Sequence, residues 1–422
     1  MMLKTRSSED QYFMKRHCKN IDITSVPLIM HAIDAYMSNR TRKERNRADI
    51  RRLYERFGSD EKIAEYLSQR FILFRNKGIP LPLEPIYQKQ IIDKGNGKLR
   101  LITVEGIIQQ LYDQIAVEAL KDAIGCLGYY QAACIKNMPV IVCGNDEIKL
   151  KGKGQEWAVE VISKWLKETD ANWIGQADVR HNYESISHQK LKNILKRGIK
   201  NDDLIFLIAA LLATVPQKDP DDPHGLFIGS VLSIYLDAIY LSYIYRYMSE
   251  QSFYIRHSKD GGKKIHTCIH CFIWMDDILF VSPSKRLAKK ALSDLRYYSE
   301  TLGLTIKDDA KIIRNVKRPT ASHKSYVDFV GYRIYPDHVT MRRRNYLKIR
   351  SAFKQAGRTY SISMQQAQKL MSYKSIVDIS NSYRFDKKYN VTKICRKARK
   401  VISEHDKSSF QRSAERSAEF QR

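Results

Sequence analysis

This sequence has no signal peptide, no long uncharged apolar run and no regular cysteine framework. The first two absences leave no secretory leader or membrane-spanning helix to expect. The third points away from a disulfide-stapled scaffold, because Cys18, Cys126, Cys134, Cys143, Cys268, Cys271 and Cys395 stand at irregular spacings. Negative charge is scarce too: 73 Lys and Arg face 46 Asp and Glu, a formal net charge of +27. With 43% hydrophobic residues in 422, that excess rides on a folded core of two or three domains. A surface of that sign favours a polyanion, most simply nucleic acid. The expected setting is cytoplasmic, with reduced thiols and no membrane partner.

The chain is organised around Trp274-Met275-Asp276-Asp277, between the apolar runs Cys271-Phe272-Ile273 and Ile278-Leu279-Phe280-Val281. Two strand-like runs joined at an acidic pair predict a tight hairpin with carboxylates at its tip. Adjacent carboxylates repel unless cations lie between them, which points to Mg²⁺; an isolated pair of this kind is more often a solvated turn. A third acid, Asp178, ends the strand-like run Trp173–Val179, with Tyr183 five residues on. Carboxylates on separate strands can bridge two Mg²⁺ ions, one activating a 3′-hydroxyl and the other holding phosphates. His266, Cys268, His270 and Cys271 invite a zinc site, but on a strand Cys268 and Cys271 point to opposite faces, so buried inert thiols are the better reading.

Around this centre the pattern predicts helices over Val26–Tyr36, over an Arg-rich amphipathic stretch from Arg40 to Phe57, and from the Ser59 cap to about Phe71. Lys94-Gly95-Asn96-Gly97 predicts a hairpin turn, with Lys98 and Arg100 projecting from one face of the second strand. Ile107–Ala123 has helical spacing. Residues 128–157 look irregular, with 136–151 an insertion; Gly152-Lys153-Gly154-Gln155 lacks the rest of a P-loop. Helices follow at Ala158–Leu166 and His188–Arg197, then the glycine-marked turn Gly225–Ser230 and a helix from Val231 to Met248. Ser284 can cap a helix ending at Gly303, Val327–Ile334 reads as one strand, and a basic helical region opens at Arg342-Arg343-Arg344. Residues 406–422 are polar and repetitive, and disorder is expected there.

In this order, Lys98 and Arg100, Asp178 with Tyr183, Gly225–Ser230, Trp274–Asp277, Leu302-Gly303-Leu304 and Phe329-Val330-Gly331-Tyr332 resemble the reverse transcriptase family. The resemblance implies an α+β right-hand polymerase: an N-terminal helical region (1–70), fingers (71–170), a palm with an antiparallel sheet (171–335), a helical thumb (336–405) and a tail (406–422). It implies Asp178, Asp276 and Asp277 as catalytic carboxylates, with Val179 in the metal-binding set and two Mg²⁺ ions for which Mn²⁺ can substitute. Lys98, Arg100, Tyr183, Gly229 and Lys311 would meet the incoming dNTP, Tyr183 as the steric gate against a ribose 2′-OH. Trp274, standing where the family usually has tyrosine or phenylalanine, would support the primer with Met275, Gly331 and Tyr332. Arg342, Arg343, Arg344, Lys348 and Arg350 would hold the nucleic-acid backbone.

The Asn-Ala-x-x-His and Val-Thr-Gly signatures of retron enzymes are absent. Ile228 and the strings Ser372-Tyr373 and Asn381-Ser382-Tyr383-Arg384 resemble diversity-generating-retroelement enzymes, although the Ser-Gln expected after the glycine turn is replaced by Ser233-Ile234. Gly152–Gln155 and Gly125–Ala133 are more similar to bacterial reverse transcriptases of phage-defence loci. No room is expected after the thumb for an RNase H or endonuclease domain. The expectation is therefore an RNA-directed DNA polymerase, a nucleotidyltransferase of antiphage defence that copies a structured noncoding RNA into a DNA product. The alternatives are an error-prone enzyme of a diversity-generating retroelement and a non-catalytic RNA-binding relative.

Overall fold

The computed structural model describes residues 17–38, 40, 42–83, 87–92, 99–127, 141–143, 146–148, 154–217, 219–258, 261–317 and 325–419. The protein is α+β, with several small antiparallel sheets among its helices. Among the described residues no helix is long and apolar enough to cross a membrane. The chain opens with α1 (Val26–Ser38), α2 (Arg42–Arg45), α3 (Ala48–Phe57) and α4 (Asp60–Lys77), followed by β1 (Tyr87–Ile92), β2 (Leu99–Val104) and α5 (Ile107–Leu127). Next come β3 (Ile141–Cys143), β4 (Asp146–Ile148), α6 (Gln155–Lys167), β5 (Trp173–Arg180), α7 (Asn182–Ser185), α8 (His188–Gly198), α9 (Asp202–Ala213) and α10 (Val231–Arg246). A π-turn at Tyr247–Gln251 leads to β6 (Phe253–Ser258), β7 (Gly261–His266), β8 (His270–Trp274), β9 (Asp277–Ser282), α11 (Lys285–Thr301), β10 (Thr305–Ile306) and β11 (Lys311–Arg314). Last are β12 (Val327–Phe329), β13 (Tyr332–Ile334), β14 (Val339–Met341), α12 (Arg343–Ala356), α13 (Met364–Ile379), α14 (Tyr383–Tyr389) and α15 (Val391–Glu419).

Two compact units result. The first comprises Met1–Lys153, Gly175–Phe280 and Arg286–Ile312; the second comprises Gly154–Ile174, Val281–Lys285 and Ile313–Arg422. In the first, α5 is the central helix, packing on α1, α9 and α10 through buried Leu111, Ile115 and Leu120. Its sheet runs β10-β5-β9-β8, with β11 also paired to β5. Strand β9 is buried from Ile278 to Ser282, whereas β5 buries Ala177 and Val179 and leaves Gln176 and Asp178 half-buried on its other face. Gly175 lets β5 approach β9, because a methyl there would fall inside the Phe280 ring. The second unit packs α12 to α15 around Ile349, Phe353, Leu370 and Cys395 and sets α6 against the sheet β12-β13-β14.

Several sequence expectations change. The Arg-rich stretch is broken at Arg47, whose extended backbone (φ −59°, ψ 146°) separates α2 from α3 while its Nε donates to Asp49 at 3.1 Å. Helix α4 starts at the Ser59 cap but continues past Phe71 to Gly78, which ends it in the left-handed region (φ 63°). Within residues 128–157, expected to be irregular, β3 and β4 pair with Ile141 opposite Ile148. The expected single strand Val327–Ile334 folds back on itself: Val330 and Gly331 both take positive φ (43° and 89°), so β12 and β13 form a hairpin. The tail expected to be disordered is helical to Glu419, extending from an α15 whose first turns are anchored by Val391, Ile394, Cys395 and Ala398. No Gly or Pro interrupts that helix once nucleated.

Candidate active site

The acidic tip forms as a two-residue connection between β8 and β9, with Met275 in the left-handed region (φ 52°) and Asp276 exposed. A backbone bond from Val179 N to Asp276 O (2.9 Å) fastens the tip to β5. This brings Asp178, near the end of β5, within hydrogen-bonding contact of the Asp277 carboxyl. On the other side of β5, strand β10 pairs Ile306 with Val179, and the chain then places Lys307 beside Asp178. Lys307 N donates to Asp178 O at 2.9 Å, and its Nζ lies 2.9 Å from Asp178 Oδ2.

Burial pushes the Asp178 pKa up, but the Lys307 hydrogen bond, the Asp277 contact and the charges of Lys307 and Lys311 together hold it below the usual carboxylate value. Reciprocally, the bond to Asp178 raises the Lys307 pKa against the opposing effect of burial, helped by the charge of Asp276. No protein-family model matches the chain, and no curated protein does.

Two carboxyl groups in contact need a shared proton or a cation between them. All the donors here are hard oxygens, the set Mg²⁺ and Mn²⁺ prefer, and one compensating cation, the Lys307 ammonium, already lies against Asp178. By donor type, though not by their arrangement here, Asp178, Asp276 and Asp277 fit a divalent metal. Among the described residues no group of three or more His, Cys, Asp or Glu side chains stands in a metal-binding arrangement.

After β5, α7 carries Tyr183, half-buried, whose carbonyl accepts from Leu226 N at 2.8 Å. The glycine turn is tied at both ends: Gly225 N donates to Ile186 O at 2.8 Å, and Thr103 N on β2 donates to Ile228 O at 3.3 Å. Gly229 takes a φ of 119°, which side chains rarely adopt, and lies at ordinary contact distance from Ile102 and Thr103 of β2. Ser230 then caps α10, and its hydroxyl also donates to the buried Asp113. Burial raises both Asp113 and its hydrogen-bonded neighbour Glu105, the latter further raised by the charge of Asp113.

The remaining expected residues are distributed unevenly. Lys98 lies outside the described residues, as does the Lys94–Gly97 turn; of Arg100 the backbone is described, paired with Ile91. Lys311 is exposed at the start of β11 and contributes its charge to Asp178. Trp274 and Met275 are half-buried at the tip. Tyr332 is 1% exposed, turned into the core of its unit by strand alternation, and Gly331 stands before it at the hairpin turn. On α12, Arg343, Arg344, Lys348 and Arg350 are exposed opposite the buried Ile349 and Phe353, whereas Arg342 Nε is bound to Asp328 at 2.6 Å. Near the N-terminus Arg40 is taken up internally, by Gln110 (2.9 Å) and by the Tyr36 ring (3.8 Å). Cys268 and Cys271 are buried; desolvation pushes the Cys268 thiol up to about 12 and Cys271 well above its ordinary value, as inert cysteines require.

Sequence reasoning missed three residues at this site. Lys307 was findable only as the residue after a strand that pairs with β5. Asn182 and Asp237 form a buried pair beneath the site, Asn182 Nδ2 donating to Asp237 Oδ1 at 2.7 Å. Desolvation raises the Asp237 pKa to about 7, opposed by the Asn182 bond and reinforced by the charge of Asp276. A lone polar residue inside a helix gives no such signal.

Proposed function

We propose that this chain is an RNA-templated DNA polymerase of right-hand architecture, with residues 71–170 as fingers, 171–335 as palm and 336–405 as thumb. The observation that carries the reading is the meeting of Asp178 with Asp277 at the hairpin tip, beside the Lys307 ammonium. Divalent cations bound by Asp178, Asp276 and Asp277 would supply Lewis-acid stabilisation of an attacking 3′-hydroxyl and of the phosphates it attacks. The chain's own residues do the positioning. Lys307 keeps Asp178 ionised and fixed in direction, and β5 and the tip hold the acids through backbone bonds. Tyr183, on a helix bonded to the glycine turn, presents a ring beneath the sugar that excludes a ribose 2′-OH. The exposed cations of α12 offer contacts to a nucleic-acid backbone, in keeping with the net charge of +27.

Its proposed biological setting is bacterial phage defence, with a cognate structured noncoding RNA as template. Extension of a primed RNA template by dNTPs and Mg²⁺ tests the activity. Asp276→Ala/Asp277→Ala should lose several orders of magnitude in rate while keeping its fold and RNA affinity. Wild-type extension by that variant, or none by the parent chain, would sink the reading. Sequencing the nucleic acid that copurifies tests the partner: one enriched RNA is expected, and a random sample of transcripts retained through high-salt washing refutes it.

A further inference from the structure

We propose that the ribbon β6–β7 is a docking surface for the phosphate backbone of a folded RNA. Arg256 on β6 lies directly opposite Lys263 on β7. Opposite residues of an antiparallel pair share a face, so the two cations stand side by side on it. Both are exposed. Tyr254, two residues earlier on the same face, adds a third cation: Arg286 of α11 donates to the Tyr254 hydroxyl at 2.8 Å and lies 4.6 Å over its ring. A two-stranded ribbon is marginal by itself, and like charges set opposite weaken it further. Such a row is stabilised by a polyanion laid along it.

The ribbon leads through Thr267–Ile269 into β8, whose five residues, at about 3.3 Å each, put roughly 17 Å between the foot of the ribbon and the acidic tip. That placement suits it to RNA flanking the copied segment. The deep, narrow major groove of A-form RNA is closed to side chains, so the contact is with phosphates. The choice of RNA over DNA rests on the polymerase reading; the anion site does not.

The test is the salt dependence of affinity for a fluorescein-labelled RNA stem-loop, measured with the full chain. Arg256→Gln/Lys263→Gln should flatten the slope of log K against log[salt] by about two, close to one unit for each lost phosphate contact. Arg256→Glu is the second variant: it gives Lys263 a cross-strand partner, so the ribbon should melt no earlier while binding weakens. An unchanged slope in the double variant, or wild-type affinity in Arg256→Glu, overturns the proposal. An equal loss on a B-form DNA duplex overturns RNA as the occupant. Primer extension by the parent chain is scored separately, so a chain that never extends a primer but loses slope keeps the ribbon and loses the polymerase. A chain that extends normally with unchanged slope does the reverse.

Discussion

Replacing Asp237 by Asn should make the protein more stable above neutral pH and leave it nearly unchanged only below the ordinary carboxylate pKa. Asp237 is 2% exposed in α10, and its carboxyl accepts from Asn182, an interaction that the amide oxygen of a substituted asparagine can keep. Its pKa rises from 3.8 to about 7 on folding, burial being the main cause. A raised folded pKa means that the native state holds an extra proton between those two values. Stability is therefore full below the unfolded value and falls as pH rises through the folded one. At about 1.4 kcal/mol for each unit, roughly three units make a penalty of about 4 kcal/mol at pH 8, of which under half is already present at pH 5. Asparagine carries no such penalty. Urea unfolding at pH 5 and pH 8 should show the variant gaining about 2 to 3 kcal/mol on the wild type between the two. Parallel stability curves across that range would refute the buried, neutral assignment of Asp237.

Three further outcomes follow from the site. Tyr183→Ala should admit ribonucleotides while lowering dNTP use only modestly, since a removed clash costs the correct substrate little; unchanged sugar preference in competitive extension would refute the gate. Lys307→Met removes the ammonium that holds Asp178 low, so the acid limb of the pH–rate profile should move to higher pH; a superimposable limb would show that Lys307 does not set it. Gly175→Ala forces a methyl into the ring of the fully buried Phe280 and should cost about 1 to 3 kcal/mol or more in denaturant unfolding, against nearly nothing if β5 can retreat from β9.

The parts of the fold legible in sequence are those written locally. Apolar runs on either side of Met275 and Asp276 locate the tip, Ser59 locates a helix start, and period-2 alternation shows Asp178 sharing a face of β5 with Gln176. What sequence does not show depends on partners far along the chain. Lys307 reaches Asp178 across 129 positions because β10 pairs with β5 in one particular register, which no local period encodes. Helix α9 escapes a sequence reading because its apolar residues run almost without interruption, giving no amphipathic stripe. The β6–β7 ribbon escapes it too, although the sequence carries Asp260-Gly261 where β7 begins, because exposure of both its faces removes the apolar alternation that marks a half-buried strand.

Backbone strain supplies a further argument for where function lies. Among the described residues five without a glycine's freedom take positive φ, and three of them, His181, Met275 and Val330, stand in the segments 178–183, 274–277 and 329–332 that sequence singles out for chemistry. Each such residue costs on the order of 1 to 3 kcal/mol, most for a β-branched one, and persists only where surrounding bonds over-determine it. Those bonds are present. Ser185 N closes on His181 O at 3.0 Å, Val179 N holds Asp276 O just after Met275, and Arg342 N and Asn345 Nδ2 both donate to Gly331 O just after Val330, at 3.1 and 3.2 Å. Glycine or asparagine would relieve the strain at any of the three with one substitution. Turns that keep a histidine, a methionine and a valine instead are held in shape by their surroundings, and a rigid acidic tip is what fixed carboxylate positions require.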